Sequence, residues 1–220
     1  MRKTELVEAL EEAGIVINIR GLKRQQLLRG VAALAEGGIR AVELTHATIR
    51  NAGETMQKLK ENAVLIGVGT ITHSVQAREA GALGADFVTA SVTTPDVVMA
   101  SEQMSIPCIL SSLTPTEVWR AHEMGADFVK VVSAGALGGP PYIRYLRESI
   151  PTLRLMGAEM PLDDRNYLSY LEAGIEVLEF KSSLAFPRLD EQGEWAETIR
   201  RAAKIVETRD RWRANHNMDA

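Results

Sequence analysis

The chain has 220 residues, of which 45% are hydrophobic and 25% are charged, and its formal net charge is −4. This is the composition of a folded globular protein long enough to bury a large core, and its acidic balance disfavours a nucleic-acid binder or a polybasic membrane-binding protein. The single cysteine, Cys108, excludes an internal disulfide framework and a zinc site built from several cysteines.

The N-terminal segment lacks the apolar core that a signal peptide needs. No apolar run in the sequence is long enough to cross a bilayer. We therefore expect a cytoplasmic protein that works in a reducing compartment, with neither a membrane nor a nucleic acid among its partners.

The first predicted element is a helix over residues 1–14, in which Leu6, Val7 and Leu10 share one face. We expect this helix to cover one end of the fold. Eight short runs rich in Val, Ile and Leu follow, as is typical of parallel strands that are buried on both faces. The runs are Ile15–Arg20, Arg40–His46, Val64–Thr70, Asp86–Ser91, Pro107–Ser112, Asp127–Ser133, Leu153–Glu159 and Glu176–Ser182.

Amphipathic segments separate these runs, and their apolar spacing predicts helices. The segment Thr114-Pro115-Thr116-Glu117 has the residues of a capping box, with proline at the first helical position, so a helix is predicted to begin there. The pentapeptide Gly-Ala-Asp-Phe-Val occurs at residues 84–88 and again at 125–129. In both places a glycine suited to a helix C-terminus leads directly into a predicted strand.

Alternation of strands and helices along the whole chain predicts an α/β fold with a parallel sheet covered by helices. Eight units of about 27 residues each favour a closed (β/α)8 TIM barrel. A doubly wound open sheet is the alternative, although no Gly-rich dinucleotide-binding motif follows the first strand. No linker interrupts the chain, so we predict one domain over residues 1–220, with a polar tail at about 208–220 whose end frays.

The active site of a TIM barrel lies at the C-terminal ends of its strands, so the polar residues there are the candidates for chemistry. Two of them are charges within otherwise apolar runs: Lys130 within residues 128–132 and Glu43 within residues 41–45. The other polar residues at the predicted strand ends are Arg20, Thr45, His46, Thr70, Ser91, Ser111, Ser112, Ser133, Glu159, Lys181, Ser182 and Ser183.

Lys130 has two interpretations. Burial of an ammonium group favours its neutral form and lowers its pKa, and a neutral lysine is the nucleophile that forms a Schiff base with a keto group. The alternative is a structural ion pair with an inward-facing carboxylate.

Glu43 lies four strands before Lys130 in a ring of eight, so both side chains can face one central cavity. There a carboxylate would move protons while a carbon–carbon bond breaks or forms. A Lys–Glu pair that only neutralises itself is the alternative. A metal site built from Glu43, His46 and Glu159 is less favoured, because the histidines show no metal-ligand spacing. We expect no metal and no cofactor.

Five short motifs follow one another along the chain. They are Ile17-Asn18-Ile19-Arg20-Gly21, Val42-Glu43-Leu44-Thr45, Gly67-Val68-Gly69-Thr70, Phe128-Val129-Lys130 and Gly139-Pro140-Pro141-Tyr142-Ile143. In this order and spacing, from about Ile15 to Pro187, the chain resembles the class I 2-keto-3-deoxy-6-phosphogluconate (KDPG) and 4-hydroxy-2-oxoglutarate (KHG) aldolase family, including its phosphogalactonate branch. The resemblance implies a barrel enzyme, a carbon–carbon lyase that cleaves or forms a 2-keto-4-hydroxy acid to or from pyruvate and an aldehyde.

The same resemblance implies roles for individual residues. Lys130 would form the imine with the keto acid and Glu43 would move protons, while Arg20 would grip the keto-acid carboxylate by charge-assisted hydrogen bonds. Members of the family are typically homotrimers, so a homotrimer is expected. The residues expected to bind substrate are Arg20, Thr70, Ser91, Lys181 and Ser183.

Departures from the family pattern bear on the substrate. A carboxylate-gripping arginine of many members is Ala47 here, and an aromatic–proline pair after the lysine is Val132-Ser133. Glycines of the last two strands, which let backbone N–H groups approach a phosphate, are replaced by Gly-Ala-Glu at residues 157–159 and by Lys-Ser-Ser at 181–183. We therefore expect a non-phosphorylated or differently charged keto acid.

Two other functions fit the same residues. One is an aldolase-fold protein that binds a small acid without turning it over, as the altered seventh and eighth strands suggest. The other is a barrel lyase or isomerase that uses Glu43 and Lys130 as an acid–base pair without an imine.

Overall fold

The computed structural model of the chain describes residues 1–49, 53–158, 164–181 and 195–216. Its strands are β1 (Ile15–Ile19), β2 (Ala41–Thr45), β3 (Leu65–Ile71), β4 (Phe87–Ala90), β5 (Cys108–Ser112), β6 (Phe128–Val131), β7 (Leu155–Gly157) and β8 (Val177–Lys181). Its helices are α1 (Lys3–Ala13), α2 (Arg24–Glu36), α3 (His46–Ile49), α4 (Gly53–Lys60), α5 (Ser74–Ala82), α6 (Pro95–Gln103), α7 (Pro115–Glu123), α8 (Pro140–Ser149), α9 (Asp164–Glu172) and α10 (Trp195–His216), with a 3₁₀ helix at Ala134–Leu137.

The strands form a closed barrel in chain order, and each neighbouring pair is parallel, including β8 with β1. The predicted (β/α)8 barrel is therefore confirmed, and the alternative of a doubly wound open sheet is wrong. Apolar residues of the helices, such as Val31 and Ile143, belong to one buried cluster with strand residues such as Val42 and Val129. Among the helices that the structure describes, none has both the length and the apolar character needed to span a bilayer.

The repeated pentapeptide marks two equivalent helix-to-strand joints. Gly84 and Gly125 have φ angles of 87° and 88°, in the left-handed region that favours glycine after a helix. The aspartate two residues later then caps a neighbouring strand: the Asp86 carboxylate accepts a 2.8 Å hydrogen bond from the Ile66 backbone N–H. Asp127 accepts an equally long bond from the Cys108 N–H. The predicted glycine-to-strand junctions are thus confirmed.

The N-terminal end of the barrel is filled with apolar side chains. Phe87, Phe128 and Met156 pack inside it against Val7 and Leu10 of α1. The predicted N-terminal helix is therefore present and covers this end of the barrel. Because apolar side chains and α1 fill this end, the interior of the barrel is reached from the C-terminal ends of the strands.

Residues 208–216, which belong to the predicted polar tail, are helical and continue α10, whereas residues 217–220 lie outside the described residues. The Arg209 side chain is only 11% exposed and donates a hydrogen bond to the Ala13 carbonyl at the end of α1. Arg213 donates to the carbonyls of Glu12 and Glu11 at 2.6 and 2.7 Å. Carbonyls at a helix C-terminus carry partial negative charge that favours cations, so these two arginines dock the polar end of α10 on α1.

Replacement of Arg209 by alanine is expected to lower the free energy of unfolding by about 2 kcal/mol, because a charged hydrogen bond and buried methylene packing are lost together. Arg211 is the matched control, since its side chain is 69% exposed and pairs with Glu207 at 3.3 Å. The R211A change is expected to stay within about 0.5 kcal/mol of the parent. Urea unfolding of both variants measures the difference, and equal effects would contradict this account of the docking.

Candidate active site

One layer of inward-facing residues in the barrel is polar. Following the strand pairing around the ring, with a displacement of about one residue per strand, brings Glu43 of β2, Thr89 of β4, Lys130 of β6 and Glu179 of β8 to the same height. Four side chains from alternate strands make one layer of a TIM barrel. All four are buried, so the apolar lower half of the barrel supports a polar layer directly above it.

Lys130 lies between the two carboxylates of this layer. Its Nζ is 3.4 Å from Glu43 Oε2 and closer still to Glu179 Oε2. Asn18 of β1 bridges the same pair, because its amide donates to Glu43 Oε1 at 2.7 Å and to Glu179 Oε1 at 3.2 Å. Arg20 in turn donates to the Asn18 side-chain oxygen at 3.1 Å. A connected network therefore runs from the open end of the barrel down to the lysine.

The direction of the Lys130 pKa shift differs from the one predicted from the sequence. Burial lowers the pKa of Lys130, but the charges of Glu43 and Glu179 more than offset this and leave it raised. The prediction of a lowered pKa is wrong, because the fold brings two carboxylates to Nζ and their attraction outweighs the effect of burial. In the unliganded protein Lys130 is therefore an ammonium group.

The surroundings of Glu179 favour its neutral form, whereas those of Lys130 favour its charged form. Burial, followed by repulsion from Glu43, raises the pKa of Glu179 to about 7, while attraction to Lys130 and the hydrogen bond from Asn18 oppose the shift. Two buried carboxylates share one ammonium group, and the carboxyl of Glu179 takes up a proton near neutral pH.

Gly69 of β3 makes room for Glu43. A Cβ atom at this position would lie 2.1 Å from Glu43 Oε1 and 2.5 Å from its Cδ, which is too close for non-bonded atoms. The next residue, Thr70, has a φ of 63°, an uncommon conformation for a residue with a side chain. The Gly-Val-Gly-Thr motif thus leaves space for Glu43 in the layer and gives Thr70 a left-handed backbone conformation next to it.

A cavity of about 170 Å³ opens above the layer. Of the predicted site residues, Lys130, Glu43, Arg20, Thr70 and Ser91 line it together. Lys181 ends β8 and is exposed, and Ser183 lies outside the described residues, as does Glu159. The complete set of cavity-lining residues is Arg20, Glu43, Thr70, Thr89, Ser91, Ser111, Lys130, Val132, Ser133, Ala158 and Glu179.

One of the three predicted ligands of the less favoured metal site, Glu159, lies outside the described residues. The His46 imidazole Nε2 lies 2.7 Å from the carboxylate of Glu79 on α5. Across residues 1–49, 53–158, 164–181 and 195–216, no three His, Cys, Asp or Glu side chains are grouped so that they could hold a metal ion.

Three residues of the site were not predicted: Asn18 and Glu179 of the network, and Thr89 of the polar layer. Glu179 carried the same signal as Lys130 and Glu43, since it is a charge within the apolar segment Val177–Phe180. Asn18 and Thr89 likewise interrupt apolar strands. The Thr89 hydroxyl is buried and has no hydrogen-bond partner among the described residues, although it lines the cavity. A substrate group in the cavity can therefore bond to it.

The chain is similar to known proteins in sequence and in fold. The family model for KDPG and KHG aldolase matches residues 6–198. The chain is 31% identical over 153 residues to 2-dehydro-3-deoxy-phosphogluconate aldolase of Treponema pallidum, covering 69% of this chain and 72% of that protein. It is 28% identical over 178 residues to the probable 2-dehydro-3-deoxy-6-phosphogalactonate aldolase of Rhizobium meliloti, covering 80% and 84%.

A solved structure of KDPG aldolase from Legionella pneumophila, with pyruvate captured at low pH as a covalent carbinolamine, has the same fold. It superposes with a TM-score of 0.73 at 21% identity, covering 93% of this chain and 98% of that one. The relatives named here are aldolases, which are carbon–carbon lyases. The match over most of the barrel confirms the resemblance that the five motifs indicated, and the chain belongs to the KDPG and KHG aldolase family.

Proposed function

We propose that the protein is a class I aldolase that cleaves a 2-keto-4-hydroxy acid to pyruvate and an aldehyde, or forms it from them, through an imine on Lys130. The observation that carries the proposal is the position of Lys130 on the floor of a cavity, in contact with Glu43 and Glu179. A lysine nitrogen attacks a keto carbon, and a carboxylate beside it moves the protons that the reaction needs.

The substrate enters from the C-terminal ends of the strands. Arg20 and Thr70 bind the keto-acid carboxylate at the mouth of the cavity, so that the carbonyl carbon reaches Lys130 Nζ below. Glu43 takes the proton of the substrate's 4-hydroxyl group as the C3–C4 bond breaks, and returns a proton to C3 of the resulting enamine. Ser91, which lines the cavity, contacts the remainder of the substrate, whereas Lys181 and Ser183 stay predicted substrate-binding residues.

We propose a small substrate without a phosphate group. The cavity that the described residues enclose is about 170 Å³, and its floor holds two carboxylates against one ammonium group. A phosphate dianion needs several N–H donors or cations around it, and the family glycines that allow backbone approach are replaced at residues 181–183.

A substrate panel tests both parts of this proposal. Pyruvate release is expected from a 4-hydroxy-2-keto acid without phosphate, with a higher kcat/KM than for its counterpart bearing a terminal phosphate. The matched control is the same keto acid without the 4-hydroxyl, which cannot undergo retro-aldol cleavage. A preference for the phosphorylated compound would contradict the substrate assignment, and absence of pyruvate from both 4-hydroxy compounds would contradict the aldolase assignment.

Binding without turnover and acid–base chemistry without an imine are the competing functions. The aldolase is favoured because Lys130 and Glu43 line one cavity rather than being covered by packing side chains. A lysine whose only role is to balance charge does not need to line a cavity that a ligand can enter.

We further propose that the protein is a cytoplasmic homotrimer. The large apolar side chains Val75 of α5, Met99 of α6, Trp119 of α7 and Tyr145 of α8 are between 45% and 61% exposed on successive helices. Exposed apolar surface of this kind is typical of a subunit interface. The buried, unpaired thiol of Cys108 is consistent with a reducing compartment.

A further inference from the structure

Glu179 has no part in the mechanism set out above, yet it is the carboxylate closest to the reacting nitrogen. Its Oε2 is closer to Lys130 Nζ than Glu43 Oε2 is, which lies 3.4 Å away. Its other oxygen accepts a hydrogen bond from Asn18 at 3.2 Å. The side chain is 3% exposed. The carboxylate is thus held with one oxygen on Asn18 and the other directed at the lysine.

An imine mechanism requires two proton transfers at the lysine end of the substrate. The ammonium group must lose a proton before the nitrogen can attack, and the hydroxyl of the carbinolamine must gain one before it leaves as water. The carbon chain needs separate transfers at C3 and at the 4-hydroxyl. One carboxylate would have to serve both ends of the substrate, whereas this layer provides two carboxylates on different strands.

We propose that Glu179 is a second acid–base residue, dedicated to the lysine nitrogen, and that Glu43 serves the carbon chain. This inference rests on the imine mechanism proposed above. Glu179 takes a proton from the Lys130 ammonium group and later returns it to the carbinolamine hydroxyl.

The step balances without any further reactant. Transfer of H⁺ from Lys130 to the Glu179 carboxylate leaves a neutral amine, whose electron pair forms the N–C bond while the carbonyl π pair moves to oxygen. The nitrogen then passes a proton to that oxygen, giving the neutral carbinolamine. When the Glu179 carboxyl protonates the hydroxyl, the C–O bond breaks, water leaves, and the nitrogen pair forms the C=N bond of the iminium ion. Glu179 ends as the carboxylate from which it began.

The surroundings of Glu179 suit it to both halves of this cycle. The titratable or charged groups that face it inside the barrel are Lys130 and Glu43, with Arg20 one residue further through Asn18. Burial and the Glu43 charge raise the pKa of Glu179 to about 7, so near neutral pH the residue both accepts and returns a proton readily.

The test compares E179Q with E43Q by the rate at which pyruvate is trapped on the protein by cyanoborohydride between pH 5 and pH 9. E179Q is expected to be trapped about 100-fold more slowly at pH 7, and to lose the inflection near neutral pH that the parent shows. E43Q is expected to form the adduct but to lose exchange of the pyruvate methyl protons with deuterated water. E179D, which restores a carboxylate, is expected to recover part of the trapping rate.

A purely structural role of Glu179 predicts the opposite change in the trapping rate. If Glu179 only holds the ammonium group, its removal lowers the pKa of Lys130 and E179Q is trapped faster at pH 7. Trapping at the parent rate or faster, or an equal loss at every pH in a folded E179Q that E179D does not relieve, would overturn the inference. A parent protein that forms no adduct would instead overturn the imine mechanism itself, so the two failures are distinguishable.

Discussion

Replacement of Lys130 by methionine is expected to abolish pyruvate release and, in addition, to destabilise the folded protein strongly above pH 7. Methionine matches the lysine stem but supplies neither a nucleophile nor a positive charge. Glu43 and Glu179 then remain buried at 2% and 3% exposure without their cation. Removal of one partner from a buried ion pair typically costs about 3–5 kcal/mol.

The pH dependence of this loss follows from Glu179. In the parent protein its pKa is raised from 4.5 to about 7 by burial and by Glu43, so the folded state binds more protons than the unfolded state between these values. Stability contributed by this group therefore falls as the pH rises through that window. Loss of the Lys130 charge raises the pKa of Glu179 further, so the extra loss of stability in the variant develops as the pH rises above about 7 and is expected to be larger at pH 8 than at pH 5.

Urea unfolding of the K130M variant at pH 5 and pH 8 measures this effect. Lys58 of α4 offers the matched control, because it is exposed and K58M is expected to change stability by no more than about 0.5 kcal/mol at either pH. An equal loss for K130M at both pH values would contradict the charge balance described for the layer.

Replacement of Gly69 by alanine is expected to lower kcat about 100-fold while the barrel remains folded. The added Cβ would meet Glu43 Oε1 at 2.1 Å, so the Glu43 side chain must move away from Asn18 and Lys130. Proton transfer to the carbon chain depends on that position. The variant is still expected to form the pyruvate adduct, since Lys130 and Glu179 are left in place.

Gly53 provides the control for this change. A Cβ there would have its nearest neighbour, Leu83 Cδ2, at 3.8 Å, which is ordinary van der Waals contact. Steady-state kinetics and adduct formation are measured on G69A and on the control variant G53A. Parental kcat in G69A would show that the position of Glu43 does not matter for turnover.

The barrel could be predicted because local signals repeat along the chain. Apolar runs, the capping box at Thr114, and the two Gly-Ala-Asp-Phe-Val joints each depend on residues close in sequence. The Thr114 side chain accepts from the Glu117 backbone N–H and the Glu117 side chain accepts from the Thr114 N–H, as the motif predicted. Docking of α10 on α1 could not be predicted, because it depends on contacts between residues about 200 positions apart, such as Arg209 with Ala13.

The site could be predicted where a charge interrupts an apolar strand, as at Lys130 and Glu43. Glu179 interrupts β8 in the same way, but its pairing with Lys130 depends on closure of the barrel, which brings two distant strands to one layer. The direction of the Lys130 pKa shift depends on how many carboxylates the closed ring brings to Nζ. That number follows from strand register, which the sequence of β6 alone does not contain.

The most direct test of the account is the site at which pyruvate becomes attached. The protein is incubated with pyruvate and borohydride, and the intact mass and its fragments are measured. The imine mechanism predicts one reduced pyruvate per chain, carried by Lys130, and no adduct in K130M. A parent protein that stays unmodified with several keto acids, or an adduct on another lysine such as Lys181, would contradict it.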